Sequence, residues 1–187
     1  GLGSGPNAHA LIERAAQREL PLVLDADALN QIARDASLRD LIRARSAPTL
    51  ATPHPAEAAR LLGVDIASIG ADRVASARAV ADALGACVVL KGAGSVLAYP
   101  GGSFDINASG GPALATAGSG DVLAGFLGAT LAQGIDAQAA LRLAVCLHGA
   151  AADRRVAAGI GPIGLVASDL ADAARDLLNE ACAAPSR

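Results

Sequence analysis

Short apolar runs alternate with amphipathic stretches through the first half of this chain, and that alternation restricts its fold more than any other feature. The predicted strands are residues 20–24, 48–52 and 87–90, and the predicted helices are residues 8–19, 38–44, 55–62 and 71–84. Strands separated by helices favour a mainly parallel sheet with helices on both faces. We therefore expect a three-layer α/β fold, in which the 187 residues form one domain, residues 1–187.

A polar side chain stands close to the end of each predicted strand. Asp25 follows the first strand, His54 lies just after the second, and Lys91, the only lysine of the chain, follows the third. The carboxyl ends of parallel strands meet at one edge of a sheet, where open α/β proteins bind their ligands. We expect these three side chains to converge there with the loop of residues 107–121.

A glycine-rich segment, residues 107–123, leads directly into an apolar helix and has the sequence N-A-S-G-G-P-A-L-A-T-A-G-S-G-D-V-L. The first N–H groups of a helix are unpaired and partially positive, and glycines let a phosphate approach them closely. Lys91, beside the two glycines of K-G-A-G-S at residues 91–95, could neutralise nucleotide phosphates, or it could simply be an exposed lysine before a hairpin. Together these segments predict a phosphate site.

Asp121 is the one carboxylate of the glycine-rich segment. A negative side chain opposes phosphate binding unless it takes a proton from a hydroxyl that is about to attack phosphorus. The alternative is that Ser119 and Asp121 only cap the helix and interact with its dipole. The loop residues that precede them, rich in glycine and threonine, favour a phosphate site over a simple cap.

The histidines and the remaining acidic residues carry weaker signals. Two prolines hold the backbone at His54 extended, and we interpret this histidine as functional. Glu57, three residues later, either holds a metal through water or only suits the first helical turn. Asp27 either caps a short helix or binds a metal or ligand, and His148 is predicted to be a satisfied core or interface histidine.

Composition excludes several classes of function. A formal charge of −3 with 2% aromatic residues argues against nucleic-acid binding, and the longest apolar run, residues 122–132, is shorter than the roughly 20 residues of a membrane span. Cys87, Cys146 and Cys182 lie far apart in apolar surroundings, which predicts buried, reduced thiols. We expect a cytoplasmic homo-oligomer that binds small molecules.

Four ordered motifs resemble the ADP-dependent NAD(P)H-hydrate dehydratase family, which has a ribokinase-like fold and also forms the C-terminal domain of bifunctional repair enzymes. The motifs are L-D-A-D-A-L-N at 24–30, T-P-H-P-A-E-A-A-R-L-L-G at 52–63, V-V-L-K-G-A-G-S-V at 88–96 and A-T-A-G-S-G-D-V-L-A-G at 115–125. The resemblance implies that hydrated NADH or NADPH is returned to the normal cofactor while ADP becomes AMP and phosphate, with Mg²⁺ present. It also implies that this chain lacks the N-terminal segment of the domain.

The resemblance assigns roles residue by residue. Asp121 would be the catalytic base beside the substrate hydroxyl, and His54 would contact the hydrated dinucleotide. Gly1 and Gly3 would bind the same substrate, because G-L-G at residues 1–3 resembles the end of the family's G-P-G-L-G loop. The residues that would hold ADP are Lys91, Gly92, Ala93, Gly94, Ser95, Gly118, Ser119 and Gly120.

Two alternatives remain open at this point. A small-molecule kinase of the same fold, of the hydroxymethylpyrimidine or hydroxyethylthiazole type, would use the same loop and Asp121 for phosphorylation. Such kinases tend to carry Asn-x-x-Glu where this chain has H-P-A-E at residues 54–57. The other alternative is a fragment that binds nucleotide without chemistry.

Overall fold

The computed structural model describes residues 2–183, and in this part of the chain five strands form one sheet in the order β1-β2-β3-β4-β5. The strands are β1 (Leu22–Leu24), β2 (Thr49–Ala51), β3 (Cys87–Leu90), β4 (Val96–Ala98) and β5 (Phe104–Ile106). The first three strands are parallel, and β4 and β5 extend the sheet as an antiparallel hairpin. The expected α/β class is confirmed.

Helices cover both faces of this sheet. They are α1 (Pro6–Ala16), α2 (Asp27–Arg34), α3 (Ala36–Arg43), α4 (Pro55–Leu62), α5 (Ile66–Ala71), α6 (Arg73–Leu84), α7 (Ser119–Ala132), α8 (Ala137–Ala157) and α9 (Ala167–Ala183), with a 3₁₀ turn at Pro112–Leu114. Successive residues of a strand point to opposite faces. In β3, Val88 and Leu90 therefore pack among α1 to α6, whereas Cys87 and Val89 pack against α7 and α8. The three predicted layers are confirmed.

Small residues allow close packing on the α7 and α8 side. Ala140 and Ala144 of α8 are fully buried against the sheet, and a separate apolar cluster joins α8 to α9. Among residues 2–183, no helix is both long enough and apolar enough to span a membrane.

Some boundaries and roles differ from the sequence-based expectations. The stretch before residue 73 forms a separate helix, α5, which the pattern did not predict, and Asp72 caps α6 after it. Asp27 is not a cap: α2 begins at this residue, and its Oδ2 accepts a hydrogen bond from Gly3 N at 2.8 Å.

The prediction of three buried cysteines is wrong for two of them. Cys87 is buried, and burial, with a smaller contribution from the charge of Asp136, raises the pKa of its thiol to about 11. Cys146 and Cys182 are exposed. Cys146 has apolar neighbours in sequence, but α8 buries Val145 and His148, and Cys146 lies outside that stripe.

Candidate functional site

Asp25, Thr52 and Lys91 meet at the carboxyl ends of β1, β2 and β3. Lys91 Nζ donates a hydrogen bond to Asp25 Oδ1 at 2.8 Å, and Thr52 Oγ1 donates to the same oxygen at 2.6 Å. The backbone continues the parallel pairing beyond the strands, because Thr52 N donates to Leu24 O at 3.0 Å and Lys91 N to Pro53 O at 2.9 Å. The expected convergence of strand-end side chains is confirmed for Asp25 and Lys91.

The N-terminus of α7 lies beside this cluster. Gly118 is the N-cap and has a φ of 82°, a left-handed conformation that favours glycine. A methyl group on Gly120 would lie 3.6 Å from Asp25 Oδ2 and 3.7 Å from Lys91 Nζ. Among the described residues, the N–H groups of Gly120 and Asp121 have no hydrogen-bond partner. The first turn of α7 therefore presents free N–H donors next to the Lys91 ammonium, an arrangement that suits an anion.

A cavity of about 570 Å³ opens in front of these donors. It brings together His54, the loop of residues 91–95, parts of the segment 107–116, and His148 of α8. The predicted site residues that line it are His54, Lys91, Gly92, Ala93, Gly94, Ser95, Ser119 and Gly120. Cavities that bind small molecules have volumes of about 300 to 1,000 Å³, so this one is large enough for such a ligand.

Asp121 is exposed and does not line this cavity. Successive helical residues are about 100° apart around the axis, so Asp121 lies on the opposite side of α7 from Ser119 and Leu123, which do line it. The carboxylate and the cavity therefore flank the helix N-terminus on two sides, with Gly120 between them. Gly118, the N-cap, also lies outside the cavity lining.

His54 caps α4. Its Nδ1 accepts hydrogen bonds from Ala56 N at 3.1 Å and Glu57 N at 3.4 Å, and Glu57 Oε2 accepts one from His54 N at 2.8 Å. Because Nδ1 is an acceptor, the neutral ring carries its proton on Nε2, which lies 3.3 Å from Glu57 Oε1. The imidazole thus has a defined structural role and also borders the cavity.

His148 is a satisfied histidine, as predicted, and its contacts connect it to the site. Its Nε2 lies 3.0 Å from the carbonyl oxygen of Ser119 and 3.2 Å from Ser119 Oγ. A carbonyl only accepts, so Nε2 donates to it. Burial lowers the pKa of His148, the nearby charge of Lys91 also lowers it, and the bond to Ser119 acts in the opposite direction. A neutral imidazole therefore fixes the first residue of α7.

Other residues that support the site were missed by the sequence-based reasoning. Arg73 at the start of α6 donates to Leu90 O at 3.2 Å and to Lys91 O at 3.4 Å, which holds the start of the loop 91–95. Ser109 Oγ donates to Cys146 O at 3.0 Å, and Gly110 N donates to Asp153 Oδ2 at 2.8 Å. These bonds attach the loop 107–111 to α8. The asparagine and glycines of that loop were a visible signal, but its partners on α8 were not.

The remaining predicted residues stand as follows. Gly3 is described and bonds to Asp27, whereas Gly1 lies outside the described residues. Glu57 is buried in the α4 cap, and the assignment of a water-mediated metal to it stays a prediction. Among residues 2–183 no group of three or more histidine, cysteine or acidic side chains could hold a metal ion. In this described part of the chain Asp25 is paired with Lys91 and Glu57 with His54.

The parallel strands with an antiparallel hairpin, the helices on both faces and the glycine-lined helix N-terminus at the strand ends define an α/β protein of the ribokinase-like class. A solved ribokinase-like protein of Enterococcus faecalis, 23% identical, has the same fold, with a TM-score of 0.76 over 95% of this chain and 60% of that chain. The family model described as NAD(P)H-hydrate dehydratase matches residues 1–175. The chain belongs to that family, which confirms the resemblance based on the four motifs.

Named relatives agree with this membership. The ADP-dependent (S)-NAD(P)H-hydrate dehydratase of Neisseria meningitidis is 51% identical over 160 residues, which cover 85% of this chain and 53% of that protein. The ADP/ATP-dependent NAD(P)H-hydrate dehydratase of Bacillus subtilis, co-crystallised with ATP and Mg²⁺, is 29% identical, with a TM-score of 0.84 over 96% of this chain and 62% of that chain. The chain thus spans about half the length of the Neisseria relative.

Proposed function

We propose that this chain catalyses the ADP-dependent dehydration of (S)-NAD(P)H hydrate, which regenerates NADH or NADPH and releases AMP and phosphate. Its family and its 51% identity to the Neisseria enzyme of that activity support the proposal. The structural observation that carries it is the N-terminus of α7. This end of the helix has a cavity with a cation on one side and an exposed carboxylate, Asp121, on the other.

In this proposal ADP occupies the cavity. Lys91 and the glycine-rich residues Gly92 to Ser95 hold the nucleotide together with Gly118, Ser119 and Gly120. The free N–H groups of Gly120 and Asp121 then face the terminal phosphoryl group, where the helix dipole and the Lys91 ammonium stabilise negative charge. The hydrated nicotinamide ring approaches from the side of Asp121.

Asp121 takes the proton of the ring hydroxyl while the hydroxyl oxygen attacks the terminal phosphorus of ADP. The bond from phosphorus to the bridging oxygen breaks, and AMP leaves with its electron pair. The phosphate ester left on the ring is a better leaving group than hydroxide. The lone pair of the ring nitrogen expels it, and loss of a proton from the neighbouring carbon restores the ring double bond.

His54, Gly3 and Gly1 are proposed to contact the hydrated dinucleotide. For His54, the support is its position at the cavity border, where the α4 cap already fixes its ring. Mg²⁺ is proposed to arrive with the nucleotide, because Mg²⁺ in proteins is commonly held through phosphates and water.

We further propose that residues 1–187 act as one domain in the cytoplasm, where ADP and reduced nicotinamide nucleotides are found, and that the protein is a homo-oligomer. Phe104 and Ile106 on the edge strand β5 are 44% and 58% exposed, which supports an interface between copies. Light scattering coupled to size-exclusion chromatography tests this; a monomer at all concentrations contradicts the proposed assembly.

Turnover distinguishes the proposed reaction from its two alternatives. The protein is incubated with NADH hydrate and ADP, and we expect recovery of reduced-nicotinamide absorbance with one AMP and one phosphate per cofactor. No recovery is expected without ADP. ATP consumption with a phosphorylated small molecule would instead identify a kinase, and nucleotide binding without any product would identify a non-catalytic binding module.

A further inference from the structure

Asp25 is neither the proposed catalytic residue nor one of the proposed ADP-binding residues. It nevertheless accepts the hydrogen bonds that join Thr52 and Lys91 at the strand ends. Its side chain is 16% exposed, and its Oδ1 accepts hydrogen bonds from both Lys91 Nζ and Thr52 Oγ1. Thr52 is itself buried, with its hydroxyl 3.3 Å from Leu24 O. The carboxylate is therefore held by two neighbouring strands of the sheet.

Lys91 and Asp25 differ in their relation to the cavity. Lys91 lines it, whereas Asp25 is not among its lining residues. An ammonium has three donor hydrogens, and among the described residues Asp25 is the only partner of Lys91 Nζ. Two donors are thus left for a ligand. The long side chain of a lysine loses considerable rotamer freedom when it is fixed, and Asp25 imposes that order before a ligand arrives.

The backbone next to Asp25 has an unusual conformation. Ala26 has a φ of 48° and is the one described non-glycine residue with a positive φ. Such a conformation persists only where the surrounding structure enforces it, and it is concentrated at functional sites. At this turn, Asp25 bonds to Lys91 whereas Asp27 bonds to Gly3. Ala26 therefore separates two carboxylates, Asp25 and Asp27, that bond to different segments of the chain.

We propose that Asp25 is a positioning residue for Lys91. With Thr52, it holds the ammonium at the junction of the loop 91–95 and the first turn of α7, so that the two remaining donors meet the nucleotide phosphate without reorganisation. The inference rests on the proposed function, because it assumes that the cavity accepts ADP. It assigns to Asp25 an effect on ADP affinity that is transmitted through Lys91.

A competing explanation for Asp25 predicts the opposite change in ADP affinity when its charge is removed. If Asp25 were only a negative charge near the phosphate, its neutralisation would remove repulsion and strengthen ADP binding. If it positions Lys91, the isosteric change Asp25→Asn weakens the charge-assisted hydrogen bond and frees the ammonium. Hydrogen bonds to charged groups are strong enough for a loss of about tenfold in affinity. The direction of the change therefore decides between the two explanations.

The experiment measures ADP affinity by calorimetric titration for the wild-type chain, Asp25→Asn, Lys91→Met and the double variant. We expect about tenfold weaker binding for Asp25→Asn and no further loss in the double variant beyond that of Lys91→Met. Thr52→Val, which removes one support of the carboxylate, should give a smaller loss. Asp172→Asn, in an exposed ion pair with Arg175 on α9, is the matched control and should bind ADP as the wild type does.

Equal or tighter ADP binding by Asp25→Asn, or fully additive losses in the double variant, would overturn the proposal. Thermal unfolding of each variant shows whether it is folded, and Thr52→Val provides an independent test if Asp25→Asn is not. In turnover assays we expect Asp25→Asn to raise KM for ADP with little change in kcat. If the wild type binds ADP without turnover, the proposed function fails and the binding series still tests Asp25; if it does not bind ADP, both fail.

Discussion

Gly149 of α8 lies directly against Ser109, so that a methyl group on Gly149 would be 2.6 Å from both the carbonyl carbon and the carbonyl oxygen of Ser109. Gly110, the next residue of the loop, would place its own methyl group 3.0 Å from Gly149 Cα. Two glycines thus allow the loop to rest on the helix backbone. This contact sets the position of one wall of the cavity.

Gly149→Ala should therefore displace the loop 107–111. Because the obstructing atoms include the backbone carbonyl of Ser109, which cannot rotate away as its hydroxyl can, we expect a loss of about 1–3 kcal/mol in unfolding free energy together with weaker ADP binding. Urea unfolding and calorimetric titration measure the two effects. Gly128→Ala in α7 is the control: nothing lies within 4 Å of its new methyl group, and a helical alanine should stabilise by about 0.5–1 kcal/mol. If Gly149→Ala and Gly128→Ala had similar unfolding free energies and ADP affinities, the proposed contact between the loop and α8 would be contradicted.

Asp121→Asn should abolish turnover and leave ADP binding unchanged or tighter. The amide cannot accept the hydroxyl proton, and its neutrality removes a negative charge from the helix N-terminus. Since general bases contribute about 10²- to 10⁴-fold, the loss of kcat should fall in or above that range. A variant that keeps wild-type turnover would show that another group accepts the proton.

Two substitutions at His54 separate its structural role from its proposed contact with substrate. His54→Ala removes the cap of α4 and should cost about 1 kcal/mol of unfolding free energy. His54→Asn restores a good cap and should return the stability to within a few tenths of a kcal/mol of the wild type. If the imidazole contacts the hydrated dinucleotide, both variants raise KM for that substrate. Restoration of KM by asparagine would leave His54 with a purely structural role.

His148 should make the stability of the protein depend on pH in a defined direction. Its pKa is lowered from 6.5 in the folded state, so below that pH the unfolded chain binds a proton that the folded chain does not. Stability therefore falls as the pH decreases from the unfolded pKa towards the folded one. The unfolding free energy of His148→Gln should depend less on pH in this window. Urea unfolding of both proteins between about pH 5 and pH 8 measures the difference in slope; equal slopes would contradict it.

The meeting of side chains at the strand ends could be predicted from the sequence, because the carboxyl ends of parallel strands lie at the same edge of the sheet. Once residues 20–24, 48–52 and 87–90 were identified as strands, Asp25 and Lys91 had to lie at the same edge of the sheet. The helix that is α7 was also predicted, although its start was placed after Asp121 and the structure begins it at Ser119. These features depend on local pattern, which sequence reasoning handles well.

The supporting contacts depend on residues far apart in the chain and were not predictable in this way. Ser109 meets Cys146 at a separation of 37 residues, and Gly110 meets Asp153 at a separation of 43. The position of Asp121 across the helix from the cavity depends on the orientation of α7 on the sheet. Helix α5 escaped detection because its six residues include Gly70 and give too short a pattern.

Lys91 carries the only side-chain amine of the protein, and that amine lies in the wall of the cavity. Acylating reagents that modify lysines would therefore label, apart from an amino terminus, one position only. The extent of labelling would report directly on occupancy of the cavity, without any engineered probe. A chain with lysines spread over its surface would not offer such a chemical handle.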